Sequence, residues 1–300
     1  MKLAIIIPVH NGLNYTRECL KELHNQTRKV IGSSVEIIVV DDGSTDGTSN
    51  WIASNYPRVH ILKGNGSLWW SGSVNTGVEY AIDKLSSDYI LWWNNDVIPA
   101  SAYLPSLFEI IEKSNPNEII GSKVYRSEKR DIIWAMGGVF NPRTGWKDMI
   151  GFNTQDGPEY NIPLEVDWLP GMGSCFPARV FNETGLLNAK VFPQYHGDID
   201  FTWRAKLKGY KIVVYPRLQL YNHTENTSKK HEGSIKSLRD SLTTIKSNYN
   251  IKKDILFYRK YARSPLAYKI LFLKYGRYIG GFLKWKLLNF FGIRKTTLFA

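Results

Sequence analysis

The 300-residue chain predicts an α/β protein, a sheet flanked by helices, with a helical extension at its C-terminal end. Three observations carry the prediction. Short, β-branched runs without polar alternation (LAIII at 3–7, VEIIVV at 35–40, YILWW at 89–93) alternate with segments of helical spacing, as in buried parallel strands joined by helices. Two of these runs stop abruptly in polar oxygens, Asp41-Asp42 after one and Asn94-Asn95-Asp96 after another. The charge is also split: residues 229–300 hold 17 Lys/Arg against 3 Asp/Glu, while residues 1–228 hold 22 against 24, so a near-neutral body precedes a basic tail.

An apolar fraction of 43% and a charged fraction of 22% are ordinary for a globular chain that buries a sizeable core. The apolar start up to Pro8 is too short for a signal peptide or a membrane span, so a cytoplasmic location is expected. Cys19 and Cys175 form no metal motif; they suit a reducing compartment and read as packing residues.

Taken in order, residues 3–7 form a strand closed by Pro8 and the turn His10-Asn11-Gly12. A helix over 14–25 follows, with Leu20 and Leu23 inward and Asn14 as its cap. The second strand, 35–40, runs into Asp41-Asp42-Gly43-Ser44-Thr45-Asp46-Gly47, where Ser44, Thr45 or Asp46 caps a helix through about Asn55. A third strand spans 59–62. The Gly-rich, aromatic stretch 63–77 opens a helix through about Leu85. Backbone amides at such a helix start hold phosphate, which makes Gly64, Asn65, Trp70 and Asn75 candidate donor contacts. After Asp96 come an amphipathic helix over 100–113 and a strand over 118–124. Residues 131–165, rich in Gly, Asn, Pro and Trp, read as loops and a small hairpin that build a second wall. A turn-rich loop at 166–174 precedes a short helix near 178–183, and a helix over 198–209 stops at Gly209. Strands at 211–215 and 218–221 lead to His223. In the tail, 242–251 and 255–262 read as helices, and 265–291 mixes aromatics with Lys and Arg.

The chemistry gathers where strands end. In open α/β sheets, ligands bind at the carboxyl edge. Oxygen ligands there, Asp96 above all, suit a hard cation, Mg²⁺ or Mn²⁺, and such a cation suits a diphosphate. Asp198 lies in the first turn of a helix, whose dipole favours an ionised carboxylate able to accept a proton. Asp200, two residues on, points elsewhere; it either fixes local backbone or binds the acceptor. His223, in a polar loop after a strand, is placed to join Asp96 on a metal.

These stretches together, IIIPVHNG at 5–12, VVDDGSTDGT at 39–48, GNGSLWWSGSVNTG at 64–77, WNNDV at 93–97 and HGDIDFTWRAKLKG at 196–209, resemble the family-2 inverting glycosyltransferases, in particular bacterial rhamnosyltransferase-like members. The similarity covers roughly residues 3–225. It implies a GT-A fold, a Rossmann-like mixed sheet flanked by helices, with a nucleotide-diphosphate sugar donor and a divalent cation. By the resemblance, Pro8, His10 and Asn11 lie along base and ribose, and Asp41 reads the pyrimidine edge. Asn95 and Asp96 match the last two positions of the Asp-X-Asp motif, whose first position is here Asn94, one charge fewer. Asp96 is then the metal ligand, with Asn94 or Asn95 at the ribose or reaching the cation through water. Asp198 matches the catalytic base and His223 the late metal-binding histidine. Trp168 to Gly173, including Gly171 and Met172, match the acceptor-side loop.

The implied reaction is transfer of a sugar, dTDP-rhamnose being the first donor expected and UDP-hexoses the next, to a lipid-linked or polysaccharide acceptor. The expected division is a catalytic domain over 1–228, with a nucleotide-binding half over 1–97 and an acceptor-binding half over 98–228, then a basic helical extension over 229–300. The extension lacks a ~20-residue apolar run and so is not read as a spanning helix. Its cations and aromatics suit the anionic inner face of the plasma membrane. A helical appendage on the catalytic domain and a homodimer contact are the other readings of this tail. No nucleic-acid recognition fold accompanies the charge. A sugar nucleotidyltransferase is disfavoured by the first loop, VHNGLNYTREC, which lacks a Gly-rich phosphate loop with Arg and Lys.

Overall fold

A computed structural model describes residues 1–223 and 234–291 as two compact units, Met1–Val139 with Asp148–Glu225, and Phe140–Lys147 with Asn226–Ala300. The expected boundary at 228, and the tail residues at 229–233 and 292–300, lie outside the described residues.

The first unit begins with three βα units: β1 (Lys2–Val9), α1 (Leu13–Thr27), β2 (Ser34–Asp41), α2 (Thr48–Asn55), β3 (His60–Lys63) and α3 (Trp69–Asp83), followed by β4 (Tyr89–Trp92). These strands are parallel in the order β3-β2-β1-β4. Next come β5 (Val97–Pro99), α4 (Tyr103–Lys113), β6 (Glu118–Arg126), β7 (Ile132–Ala135), the hairpin β8 (Gly138–Asn141) and β9 (Trp146–Met149), β10 (Thr154–Gln155), a 3-10 turn at Pro158–Tyr160, β11 (Leu164–Glu165), β12 (Ser174–Pro177), α5 (Arg179–Thr184), α6 (Gly197–Leu207) and β13 (Lys211–Asn222). The sheet extends from β4 through β12, β6, β7 and β10, while β13 pairs with β6, β5 and β11.

The missing alternation in β1 has a direct cause. Leu3, Ile5 and Ile7 face a core shared with Leu20 and Leu23 of α1 and Leu104 and Leu107 of α4. Ala4 and Ile6 face the opposite core, with Val74 and Val78 of α3 and Phe201 of α6. Both faces are covered, and each buried aliphatic side chain contributes about 1.5–3 kcal/mol. The strand also continues through Pro8, where a stop is expected. Pairing with β4 ends at Ile6, so on that side no neighbouring strand needs the N–H that proline lacks.

The sheet is mixed, as the resemblance implied, because β12 runs antiparallel between β4 and β6. Other departures have equally local reasons. The helix expected from residue 100 begins at Tyr103, because Val97–Pro99 are drawn into pairing with β13. The two short strands expected at 211–221 are one strand with a register shift between Tyr215 and Gln219.

The second unit holds α7 (Ile235–Thr243), α8 (Ile251–Tyr261) and α9 (Pro265–Phe290), together with the hairpin residues Phe140–Lys147. The helix expected over 242–251 does not form. Asn250 caps α8 by accepting from Lys253 N at 3.1 Å, and its amide donates to Thr243 O and Thr244 O, which closes α7. Asp254, fully buried, is the polar centre of this unit: it accepts from Lys147 (3.1 Å), Lys274 (2.6 Å) and the Tyr275 hydroxyl (2.9 Å). Phe140 packs edge-on against Phe257. Among the described residues no helix is long and apolar enough to cross a membrane.

Candidate active site

On the donor side, Asp41 ends β2 nearly buried. One carboxylate oxygen accepts from Ser44 N at 2.8 Å and the other from the Ser49 hydroxyl. It lines a cavity of about 230 Å³ with Ser44, Thr48, Lys63 and Gly64. Asn11, left-handed at φ +50°, accepts from Thr45 N through its side chain and donates its own N–H to the Ser44 hydroxyl oxygen; His10 Nδ1 lies 2.7 Å from Asp42 O. Asp46 bonds the N–H of Leu13 through one oxygen and that of Thr48 through the other, so one side chain starts both α1 and α2, and neither Asn14, Ser44 nor Thr45 does. Burial works against its charge, but the bonds from Thr48 and Leu13 outweigh it and hold the carboxyl below its ordinary range.

Asp42, which sequence reasoning passed over, shapes the Gly-rich loop. Its two oxygens accept from Gly66 N (2.7 Å) and Trp69 N (3.0 Å), and a side chain at Gly64 would strike it. This overturns one expectation. The amides at the start of α3 are not open to phosphate: Trp69 N–H goes to Asp42, Trp70 N–H to Gln194 Oε1 and Ser71 N–H to Pro193 O. Asn65 Oδ1 likewise accepts from Ser67 N. Asn75 is spent in a clamp, bonding both N–H and O of Leu187. The repeated carboxylate pair after β2 was the signal that could have found Asp42.

At the carboxyl end of β4 the three polar residues diverge. Asn94 Oδ1 accepts from Trp70 Nε1 at 3.0 Å. Asn95 Nδ2 turns inward to Thr16 Oγ1 (3.0 Å) and Gly12 O (3.3 Å). Asp96 presents a buried Oδ1 with no hydrogen-bond partner. Burial raises its pKa; its own backbone N–H and, less strongly, the neighbouring His223 pull it partly back. His223 arrives because β13 pairs with β5 up to Asn222↔Val97; the next residue donates its N–H to Asp96 O at 3.0 Å. An orphaned, buried carboxylate oxygen beside an imidazole fits a hard divalent cation. Among the described residues no group of three His, Cys, Asp or Glu gathers as a metal cage. A Mg²⁺-type site needs only one or two protein ligands, completed by phosphates and water.

Asp198 stands half-buried in the first turn of α6, its Oδ1 accepting from Ile199 N at 2.9 Å. The start of α6 is seated on the start of α3: Gly197 has room only for hydrogen against Ser71, and the Ser71 hydroxyl donates to Phe192 O at 2.6 Å. His196, at φ +71°, makes the turn into α6. Trp70 is the hub. It holds Asn94 through its indole N–H and Gln194 through its backbone, and its ring lies against Gly171, where a side chain would clash. Asn94, Trp70, Gly171 and the segment leading to Asp198 are therefore brought together.

The remaining acceptor-side residues are structural posts. Trp168 is buried, its Nε1 donating to Val139 O; Met172 sits in the core; Gly173 (φ +64°) fits beneath Ser122 and Leu220. Asp200, expected either to fix local backbone or to bind the acceptor, makes contacts of the first kind, against the acceptor role. It is fully buried and accepts from Arg204 Nε at 3.0 Å, and Arg204 in turn ties down the carbonyls of Thr184 and Leu186.

Residues 4–169 match the model of a family described as glycosyl transferase family 2. A low-salt glycan biosynthesis hexosyltransferase, Agl10 of Haloferax volcanii, is 26% identical over 211 residues, 70% of this chain and 63% of that protein. Glycosyltransferase GlyA of Streptococcus pneumoniae serotype 4 is 29% identical over 208 residues, 64% of this chain but 28% of that protein. The chain thus spans less than two thirds of either relative. Among solved structures, GalNAc-T7 with UDP, GalNAc and Mn²⁺ superposes with a TM-score of 0.60 at 13% identity, over 90% of this chain and 57% of that one. The GT-A fold expected from the sequence is the fold observed.

Proposed function

The chain belongs to glycosyl transferase family 2, and from that premise we propose that it is an inverting glycosyltransferase. It moves a sugar from a nucleotide-diphosphate donor to a lipid-linked or polysaccharide acceptor in cell-surface glycan synthesis. The observation that carries the reading is the partnerless oxygen of Asp96, buried beside His223 at the carboxyl edge of the sheet. Donor binding falls to the cavity beside Asp41, with Lys63 on its wall. Asp96 and His223 hold Mg²⁺ or Mn²⁺, and the chemistry this supplies is neutralisation of charge on the departing diphosphate. With its amides already bonded, the start of α3 does not share that task. Asp198 takes the proton of the attacking acceptor hydroxyl, and a single displacement inverts the anomeric carbon.

dTDP-rhamnose is the donor favoured by the motif resemblance. A UDP-hexose is the second reading, supported by the hexosyltransferase named among the relatives. The second unit contacts the anionic cytoplasmic face of the plasma membrane: α9 exposes Phe272, Leu283, Leu287 and Phe290, with Lys284 and Lys286 alongside. The test is a panel of nucleotide sugars scored by melting temperature with MnCl₂. One donor raises the melting temperature strongly, and only with the metal. A flat panel refutes the reading.

A further inference from the structure

A metal-ligating imidazole must offer an unprotonated nitrogen, and His223 has two. Its surroundings choose between them. Ser127 follows β6, its backbone N–H fixed on Asn222 O at 2.9 Å and its hydroxyl oxygen 3.2 Å from His223 Nδ1. The same hydroxyl donates to Glu128 Oε2 at 3.4 Å, and Glu128 is held by Arg126 Nη1, also at 3.4 Å. A hydroxyl has one proton. The carboxylate can only accept and is the charged acceptor of the two, so we direct the proton to Glu128; the oxygen facing the ring is then an acceptor, and Nδ1 supplies the hydrogen. Nε2 is then left with its lone pair. The Tyr15 ring packs on the imidazole at 5.5 Å between centroids and limits its rotation.

We propose that Glu128 and Ser127 form a hydrogen-bond relay that fixes His223 as the Nδ1–H tautomer and so presents Nε2 to the divalent cation shared with Asp96. The inference rests on the cation site proposed above. On the other side the Glu18 carboxylate lies 3.7 Å from Nε2, too far to hold a proton there by a hydrogen bond. Ser127 and Glu128 act through His223 and are positioning residues. Partners of this kind on the second nitrogen of a metal-bound histidine orient the ring, and their loss typically costs about 10–100-fold in metal affinity.

The test uses the full-length, metal-free protein labelled with ¹⁵N-histidine, with His223→Ala identifying its signals among the six histidines. The wild type is expected to show a protonated Nδ1 and a bare Nε2. Ser127→Ala is expected to lose that preference and to weaken binding of Mn²⁺, titrated as MnCl₂ alone, by about tenfold or more; Ser127→Thr keeps both. A wild-type Nε2–H tautomer overturns the relay. So does a Ser127→Ala protein with unchanged tautomer and affinity, and if His223→Ala still weakens Mn²⁺ binding, the cation site survives. If His223→Ala leaves Mn²⁺ affinity unchanged, the cation reading at His223 falls and takes the relay with it.

Discussion

Two carboxylates meet opposite demands. In the proposed base role, Asp198 must keep its charge and reach a proton, and the first turn of α6 supplies the favourable dipole. Asp198→Asn is expected to bind donor normally while transfer falls at least about a hundredfold, measured as nucleoside diphosphate release against acceptor. Asp96 instead carries a buried oxygen without a partner, a cost to the metal-free fold. Asp96→Asn therefore raises the melting temperature of the metal-free protein yet abolishes stabilisation by Mn²⁺ with donor; a lower melting temperature without metal would mean the oxygen is already satisfied. Asp46 belongs to the same scale. Its folded pKa is lowered, so its contribution is present above the ordinary carboxylate pKa and fades as pH falls through the folded value. Asp46→Ala costs about 1 kcal/mol per cap at neutral pH, and its melting curve converges on the wild type in acid. Asp46 as double cap and Asp42 as loop holder were hard to read from the chain because their partners lie up to 33 residues away. Asp96 was legible because a strand that ends in carboxylate needs no distant partner to be noticed.

Elements read well where one pattern sufficed. The βα units of the first 92 residues show in the sequence as continuous apolar runs, because both faces of the sheet are covered. β12 does not: Ser174–Pro177 is four residues long and is a strand only because β4 and β6 flank it. Nor does the grouping of hairpin residues Phe140–Lys147 with the C-terminal helices, which depends on Asp254 and Phe257, more than a hundred residues on. The junction of α3 and α6 is where element geometry sets the site. Gly171→Ala forces the Trp70 ring away and is expected to lower kcat/KM by about a hundredfold, the cost of an ångström-scale misplacement. Trp70→Phe keeps the packing, loses only the bond to Asn94 and is expected to cost less. At α9, replacing Phe272 and Leu283 by Ser is expected to reduce co-sedimentation with anionic phospholipid vesicles about tenfold or more while donor binding persists. Equal binding by the double variant would remove the membrane role.

At the scale of the molecule, a near-neutral α/β unit carries the chemistry and a basic helical unit follows it. On the proposed reading, the sheet edge collects groups that the chain scatters: Asp41 after β2, Asp96 after β4, His223 after β13 and Asp198 at the start of α6. Crystals grown with MnCl₂ and the donor's nucleoside diphosphate test that convergence directly, through anomalous scattering from manganese. The expected result is a single peak about 2.1 Å from an Asp96 oxygen, with His223 Nε2 as a second ligand, the diphosphate on the same ion and Asp198 facing the open side. A nucleotide bound with no manganese at Asp96, or a peak with Asp198 turned away from the diphosphate, would contradict it.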